Sequence, residues 1–452
     1  MAFGITIGIT FVLFILFLWV PRKGFAVLLF LLPLSFALNP APTIDLALLR
    51  LAVPVFWIAL LIKYPRHFFA EARKPLSLAA GLFVAVTVLV TVFSQEPAWS
   101  ARKLLYLASL VPLLPAAAMI FRQNDVPPEK QHHMFMWPLF AGGVLASFFG
   151  LAQVTAQFFV GTDRLFRFFV GLAPYLYGND FGALVTEFPS WFVSIGDKDY
   201  LRAFASFPDP HMFAFYLEML AAPALALALR TQDGRVAKRY VMLFVLFTAA
   251  LLLTFSRGGY LGYFAGCIVT WIAAGKTYLI TQRKAAAYGG LVMTLGVLVA
   301  LLTPFAYQRL VSAFDVAEGS NAGRIAIWQN AIAVFERHPF GVGLGNYAAI
   351  GENAGGFRNA VTTHNLYLDL LVETGLAGLV AYLALMGLGL ATFIRGALRD
   401  RTPAGALKAG FAGSLAAFSV HAIFEVPLYA PQIFVLLIIL FGYASVARVS
   451  KA

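Results

Sequence analysis

The sequence predicts an all-α, polytopic membrane protein, and three observations carry that prediction. Hydrophobic residues make up 61% of the chain, charged residues only 12%, and the mean hydropathy is +0.81. An ordinary soluble domain has roughly a quarter of its residues charged, so the composition excludes that class. Apolar runs near the roughly 20 residues that cross a hydrocarbon core recur along the chain. We therefore expect about 12 or 13 transmembrane helices in one integral membrane domain.

The apolar runs give the candidate spans in order: about 3–20, 25–38, 45–62, 76–93, 104–121, 134–160, 211–229, 240–255, 259–275, 286–303, 366–394, 409–424 and 432–447. The run at 25–38 is the weakest, because it is short and contains Pro33. A twelve-span arrangement in which it is re-entrant therefore stays open. The first run has no basic leader and no small-residue cleavage site before Pro21, so it is expected to be a span and not a signal peptide.

The orientation follows from the positive charge in short connections. Four connections are rich in Lys and Arg: those at about 63–74, 230–239, 276–284 and 395–408. The positive-inside rule places them in the cytoplasm. The alternate connections at 39–44 and 425–431 contain neither Lys nor Arg. Both long connections, about 161–210 and 304–365, should then lie outside, together with the turn Ser256–Gly259.

The chain is expected to divide into two parts within this one domain. Residues 1–160 carry few motifs and are predicted to be a transmembrane scaffold, whereas 161–452 hold the candidate working residues and the two outer loops. In the second loop, apolar residues recur at helical spacing from Ile325 to Phe335, which predicts a helix lying in the membrane interface. Ser320 or Asn321 is expected to cap its start.

Charge and cysteine content limit the partners. The net charge is +12, but Lys and Arg occur in short clusters between apolar runs, where topology and anionic membrane lipids account for them. We expect membrane lipids, and no nucleic acid, as partners. Cys267 is the only cysteine and lies in an apolar run, so neither a disulfide nor a Cys-based metal site is expected within one chain.

Four residues on the predicted outer side are candidates for chemistry: Arg202, Arg257, Arg324 and His364. A guanidinium presents a planar fork of donors that matches phosphate oxygens and stays charged, so paired arginines suit a diphosphate. The outer loops show no clustered carboxylates for a divalent ion, and neither a metal nor another cofactor is expected. Taken alone, each arginine is also compatible with a side chain that snorkels to lipid headgroups.

His364 opens a predicted membrane helix, and the positive end of a helix disfavours protonation of a nearby imidazole. We therefore expect its pKa at or below the usual value of about 6.5, which suits a general base. The alternative is a helix-start residue bonded only to backbone. Three ionisable residues in or near spans form a second tier of site candidates: Arg50, Glu218 and Glu373. Gly341–Gly345 lacks the context of a dinucleotide loop and is expected to be a flexible turn.

Taken together, these segments resemble the O-antigen ligase and polymerase superfamily of bacterial membrane glycosyltransferases. The resemblance is carried, in the family's order, by Ser256–Gly259, Gly323–Trp328 with His338–Gly343, and His364–Gly378. It covers roughly residues 200–445, including the late segment His421–Pro427, whereas 1–160 match only as apolar spans.

The resemblance implies transfer of a glycan from an undecaprenyl diphosphate donor to a hydroxyl acceptor. The site would face the periplasm from the bacterial inner membrane, and the reaction would be inverting and metal-independent. Arg257 and Arg324 would hold the diphosphate, with Arg202 joining them by looser analogy, and His364 would activate the acceptor hydroxyl.

The acceptor separates the branches of the family. Lipid A core, the acceptor of the ligases, is favoured because His364-Asn365 and the long outer loop fit that branch. A growing glycan chain, as in O-antigen or exopolysaccharide polymerases, and serine or threonine of proteins, as in O-oligosaccharyltransferases, are the alternatives. A secondary transporter is a further alternative from another class, but it predicts inverted repeats, and none is evident in the sequence.

Overall fold

The computed structural model describes residues 2–446 except 35, 42–43, 123–127, 188–189, 196–197, 276–318, 351–361 and 401. The predicted span at 286–303 and parts of the second long connection lie outside the described residues.

The described part of the first 160 residues is built from helices: α1 (Ala2–Trp19), α2 (Pro21–Leu31), α3 (Leu48–Lys63), α4 (Pro65–Ala72), α5 (Pro75–Val92), α6 (Pro97–Leu110), α7 (Leu113–Arg122) and α8 (Pro128–Val160). Proline opens several of them, as its fixed φ and missing N–H favour at a first helical position. The chain bends by 115° between α3 and α4, next to Pro65. The predicted run at 104–121 is interrupted between Leu110 and Leu113.

The rest of the described chain adds one small hairpin and further helices: α9 (Thr162–Tyr177), α10 (Asn179–Glu187), β1 (Phe192–Ile195), β2 (Lys198–Leu201), α11 (Pro210–Arg230), α12 (Gly234–Leu252), α13 (Arg257–Gly275), α14 (Gly319–Arg337), α15 (Tyr347–Ile350), α16 (Leu366–Arg399), α17 (Pro403–His421), a 3-10 turn (Pro427–Tyr429) and α18 (Pro431–Val446). β1 and β2 pair antiparallel, with Phe192 opposite Leu201.

The all-α, polytopic prediction is confirmed. Five described helices or helix pairs are long and apolar enough to cross a membrane, and a sixth results if bent α3 and α4 form one span. Phe3–Trp19 of α1 and α18 are apolar but shorter. The total of 12 or 13 spans stays a prediction. The predicted helix of the second connection is present as α14, and its place in the membrane interface stays a prediction. Ser320 and Asn321 lie inside this helix, so the prediction that either caps its start is wrong.

Helix α11 lies at the centre of the site-bearing half, with its membrane-length window wholly buried by other parts of the protein. Small residues allow its neighbours to approach closely. A Cβ added to Gly410 of α17 would lie 2.3 Å from the Cα of Pro223, and Ser414 donates to the carbonyl of Met219 at 2.7 Å. Close contact through small residues and hydroxyls is the usual way in which membrane helices associate.

The two ends of this bundle carry different polar contacts. At one end, Arg230 donates from Nη2 to the carbonyls of Ala273 and Ala397, each at 3.1 Å, and Lys408 pairs with Asp400 at 2.8 Å. These contacts join the connections that the positive-inside rule assigns to the cytoplasm. The opposite ends of the same helices carry the candidate site residues.

We expect a cysteine at exposed Asp199, on the β1–β2 hairpin, to react with a membrane-impermeant maleimide in spheroplasts. A cysteine at exposed Gln232, between α11 and α12, should react only after lysis. The natural Cys267 is buried, so the background should be low. The positive-inside pattern predicts this difference, and the opposite labelling pattern would reverse every inside and outside assignment.

Candidate functional site

Two residues singled out from the sequence, Arg324 and His364, meet at a third. The carboxylate of Glu425 follows α17 and receives Arg324 Nη2 on Oε1 and His364 Nδ1 on Oε2, each at 3.1 Å. His211, at the start of α11, places Nε2 3.9 Å from Oε1. These four residues are called the Glu425 cluster.

The partners of Glu425 favour its charged form. Burial acts to raise the pKa of Glu425, but His211, His364 and Arg324 outweigh it and hold that pKa at about 2. The hydrogen bond to Glu425 raises the pKa of His364 above its usual value, against the opposing effects of burial and Arg324. Glu425 is therefore a carboxylate at neutral pH, and it can only accept from His364 Nδ1–H.

The expectation of a pKa at or below 6.5 for His364 is wrong. The residue lies just outside α16, whose N-cap is Asn365; the Asn365 side chain accepts from the amides of Tyr367 and Leu368. A carboxylate at 3.1 Å outweighs the weaker field of a helix end.

Left-handed backbone at non-glycine residues marks the segments around this cluster. His364 has φ +48°, Phe255 just before Ser256 has φ +49°, and Ala205 before α11 has φ +50°. Such conformations are uncommon for residues with a Cβ and persist only where the surrounding structure imposes them. The amide of Leu366, for example, donates to the carbonyl of Ala422 at 2.9 Å.

Arg324 and Trp328 stand four residues apart on α14 and so share one helix face. The indole of Trp328 donates to the carbonyl of Thr363 at 2.9 Å, beside His364. The side chain of Arg324 keeps about 21% of its surface exposed. The motif from Gly323 to Trp328 thus supplies both a cation and an anchor to the segment that carries His364.

Arg257 is the first residue of α13 and is half-buried. The glycine after it is required by the close approach of α17, because a Cβ on Gly258 would lie 2.8 Å from Cδ2 of His421. The start of α13, next to Arg257, therefore packs against the imidazole-bearing end of α17.

Arg202 is buried and bonds to backbone. Its Nε donates to the carbonyl of Thr254 at 2.7 Å and its Nη1 to that of Ser190 at 2.8 Å, which ties the residues flanking the β1–β2 hairpin to the end of α12. Nearby Asp209 caps α11 by accepting from the amide of Met212 at 2.9 Å. Burial, with the charge of Glu425, raises the pKa of Asp209 to about 6. A diphosphate role for Arg202 stays a prediction.

The three second-tier candidates lie in two different places. Glu218 belongs to a chain of buried polar contacts that reaches the Glu425 cluster. Glu373 lies apart, where it contacts Lys103 at 3.6 Å and accepts from the hydroxyl of Tyr429 at 3.2 Å. Arg50 is near that second group, with its guanidinium 5.4 Å from the ring centroid of Tyr106.

Gly341–Gly345 forms a turn that packs against α16. The amides of Val342 and Gly343 donate to the carbonyls of Val372 and Glu373, each at 3.0 Å. Gly341, Gly343 and Gly345 all have positive φ, between 77° and 100°. The glycines are thus explained by backbone shape and close approach, as a turn requires.

Sequence reasoning did not single out Glu425, His421 or His211 as site residues, and Ser256 entered it only within the turn Ser256–Gly259. A signal was available, since His421 and Glu425 are ionisable residues at the end of an apolar run. A cavity of about 820 Å³ lies at the other end of the helices, lined in part by Arg22, Lys63 and Arg122, and is remote from this cluster. Among the described residues, no three His, Cys, Asp or Glu side chains converge as metal ligands.

The family model described as O-antigen ligase matches residues 242–383, about a third of the chain. The match contains Arg257, Arg324 and His364, and Glu425 lies beyond it. It confirms the resemblance to the O-antigen ligase and polymerase superfamily, and with the apolar helices it indicates a multi-pass membrane protein. No curated protein matches the chain at a significant level.

Proposed function

We propose that this relative of the O-antigen ligases is a periplasm-facing glycosyltransferase of the bacterial inner membrane. It would transfer a glycan from an undecaprenyl diphosphate donor to a hydroxyl acceptor, with lipid A core as the favoured acceptor and a growing glycan or a protein hydroxyl as alternatives. The observation that carries the proposal is the Glu425 carboxylate, which joins a base, His364, to a permanent cation, Arg324. Residues 161–452 would supply the catalytic groups and 1–160 the scaffold.

The proposed chemistry follows from the protons of the cluster. His364 Nδ1–H donates to Glu425, so the lone pair of the imidazole lies on Nε2. Nε2 takes the proton of the acceptor hydroxyl while that oxygen bonds to C1 of the donor sugar. The bond from C1 to the phosphate oxygen breaks, and the lipid diphosphate leaves with the electron pair. Attack opposite the leaving group inverts the configuration at C1.

Arginines suit the leaving group. Arg324 uses one Nη2 contact to Glu425, and a guanidinium has five N–H donors, so others remain for phosphate oxygens. Arg257 begins a helix beside the same cluster. Fixed cations at the place where charge develops stabilise the transition state more than the bound donor.

The position of the cluster supports an outer-face transferase over a transporter. The cluster lies at the helix ends opposite the Arg230 and Lys408 contacts, whereas transporter sites lie near the middle of the membrane. A lipid-linked donor has its diphosphate at the membrane surface, where the first residues of α11, α13 and α16 would lie.

The test is transfer by the purified full-length protein in lipid nanodiscs, with an undecaprenyl diphosphate-linked glycan and a lipid A core acceptor. Product is measured by mass spectrometry in the presence of EDTA, over a range of pH. We expect the rate to rise with pH through a midpoint above 6.5, because His364 must be neutral to accept a proton and Glu425 raises its pKa. Glu425→Gln should lower both the midpoint and the maximal rate, since it removes the carboxylate that raises this pKa.

Exposed Glu187 on α10 offers a matched control, and Glu187→Gln should leave the midpoint in place. A midpoint that does not move in Glu425→Gln would contradict the role given to the carboxylate. Loss of all transfer in EDTA would contradict a metal-independent reaction.

A further inference from the structure

We propose that Glu218 and Ser256 are positioning residues, which act through His421 and His211 to fix the proton of His211 on the nitrogen that faces Glu425. They would thereby hold Glu425 as the charged partner of His364. The proposal rests on the proposed function and extends it to residues that lie inside the helix bundle.

These residues form one hydrogen-bonded chain. Glu218 Oε1 lies 3.2 Å from His421 Nδ1, and His421 Nε2 lies 3.3 Å from Ser256 Oγ. Ser256 Oγ lies 2.9 Å from His211 Nδ1, and His211 Nε2 faces Glu425. Glu218, His421 and Ser256 are at most 1% exposed, so water does not compete for these contacts.

The hydroxyl of Ser256 forces the hydrogen bonds on its two sides to be donated in the same direction along this series of residues. Its Oγ accepts from the amide of Gly259 at 3.1 Å, as an N-cap residue does at the start of a helix. A hydroxyl has a single proton to donate. When one neighbouring imidazole donates to Oγ, the other must accept from it, so neutral His211 and His421 cannot choose their tautomers independently.

Two arrangements satisfy this constraint. In the first, Glu218 as the neutral acid donates to His421 Nδ1, His421 Nε2–H donates to Ser256, and Ser256 donates to His211 Nδ1. The proton of His211 then lies on Nε2 and points to Glu425. In the second arrangement, the donor and the acceptor of every hydrogen bond are exchanged. Glu218 is then a carboxylate, and His211 Nε2 carries a lone pair that faces the Glu425 carboxylate.

Both ends of the chain favour the first arrangement. A lone pair facing a carboxylate oxygen at 3.9 Å is repulsive, whereas an N–H there is attractive. At the other end, Glu218 Oε2 has no hydrogen-bond partner among the described residues, and an unpaired ion in an apolar interior is costly. A neutral Glu218 therefore determines which group donates in every hydrogen bond from Glu218 to His211.

Packing holds the side chains of His421 and Glu218 in the positions that these hydrogen bonds require. The ring of His421 stacks on Phe215 with a centroid distance of 3.6 Å and an interplanar angle of 9°. A Cβ on Gly262 would lie 2.6 Å from Glu218 Oε2, so glycine at this position of α13 admits the carboxyl group. The order Ser, His, Glu is also that of a hydrolase triad, but Ser256 is fully buried among the described residues, which does not suit a nucleophile.

The test compares Glu218→Gln, Glu218→Leu and Ser256→Ala in the purified full-length protein. A glutamine can donate from its amide to His421 Nδ1, whereas leucine cannot. We expect Glu218→Leu and Ser256→Ala to lower kcat by about 10-fold to 100-fold with little change in donor KM, the usual loss when a reacting group is no longer held in place. Glu218→Gln should rescue most of the rate that Glu218→Leu loses.

Nitrogen-15 NMR of His211 gives a readout that does not depend on transfer. We expect the proton on Nε2 in the wild type and in Glu218→Gln, and a mixture of tautomers in Glu218→Leu and Ser256→Ala. Ser414→Ala is the matched control, because that serine is equally buried and its hydrogen bonds within the described part of the chain go to the carbonyls of Met219 and Gly410.

Three outcomes would overturn the proposal: Glu218→Gln as slow as Glu218→Leu, Ser256→Ala at the wild-type rate, or a wild-type His211 protonated on Nδ1. The two Glu218 variants decide the matter should Ser256→Ala not fold. An active His364→Ala variant would refute the proposed function and leave the tautomer measurement unaffected.

Discussion

Replacement of His364 by alanine is expected to reduce glycan transfer to about one per cent of the wild-type rate or less, while the donor still binds. A general base contributes roughly 10²-fold to 10⁴-fold in rate, and the loss should appear in kcat more than in donor affinity. The arginines that would hold the diphosphate are intact in this variant. The measurement is kcat and donor KM in nanodiscs at a pH above the wild-type midpoint.

His67 offers a control, because it is exposed on α4 at the other end of the protein. His67→Ala should transfer at the wild-type rate. A folded His364→Ala variant with more than about a tenth of the wild-type kcat would contradict the general-base role. Catalysis would then rest mainly on stabilisation of the leaving diphosphate.

Arg324→Lys and Arg257→Lys are each expected to lower kcat/KM for the donor by about 100-fold or more, although both keep the charge. An ammonium lacks the planar fork that can contact two phosphate oxygens at once. At position 324, the lysine would also have to serve both Glu425 and the donor with one nitrogen.

The matched control for Arg324 stands on the same helix. Arg337 is exposed on α14 and donates only to the carbonyl of Ala333 among its described hydrogen bonds, at 3.1 Å. Arg337→Lys should leave kcat/KM near the wild-type value. If Arg324→Lys and Arg257→Lys behave in the same way as this control, neither arginine holds the diphosphate.

The positions of most described helices follow from the sequence, because an apolar run of membrane length specifies a helix without reference to its neighbours. Pro97–Arg122 shows the limit of that reasoning. Its length and composition are those of a single membrane span, yet the structure divides it between α6 and α7. The start of α14 was misjudged for a similar reason, since polar residues suited to a cap also occur inside helices.

The site was only partly predictable. Arg324 and His364 carry recognisable motifs, and the structure does bring them together. Glu425 lies 61 residues beyond His364, and no pattern in the sequence near either residue indicates that the two are in contact. The pKa of His364 was misjudged because the helix end is visible in sequence, whereas the carboxylate that outweighs it comes from another helix end.

Non-helical backbone at Gly375 (φ +67°) interrupts α16, and the turns before it are joined to α14. The carbonyls of Val372 and Glu373, just before the break, accept from the turn that follows α14, and Trp328 of α14 bonds to Thr363. The turns of α16 before Gly375 are thus joined to the helix that carries Arg324. Regions joined in this way tend to unfold as one cooperative unit. A local unfolding event there would release His364 and Arg324 together, so base and cation are gained or lost in a single step.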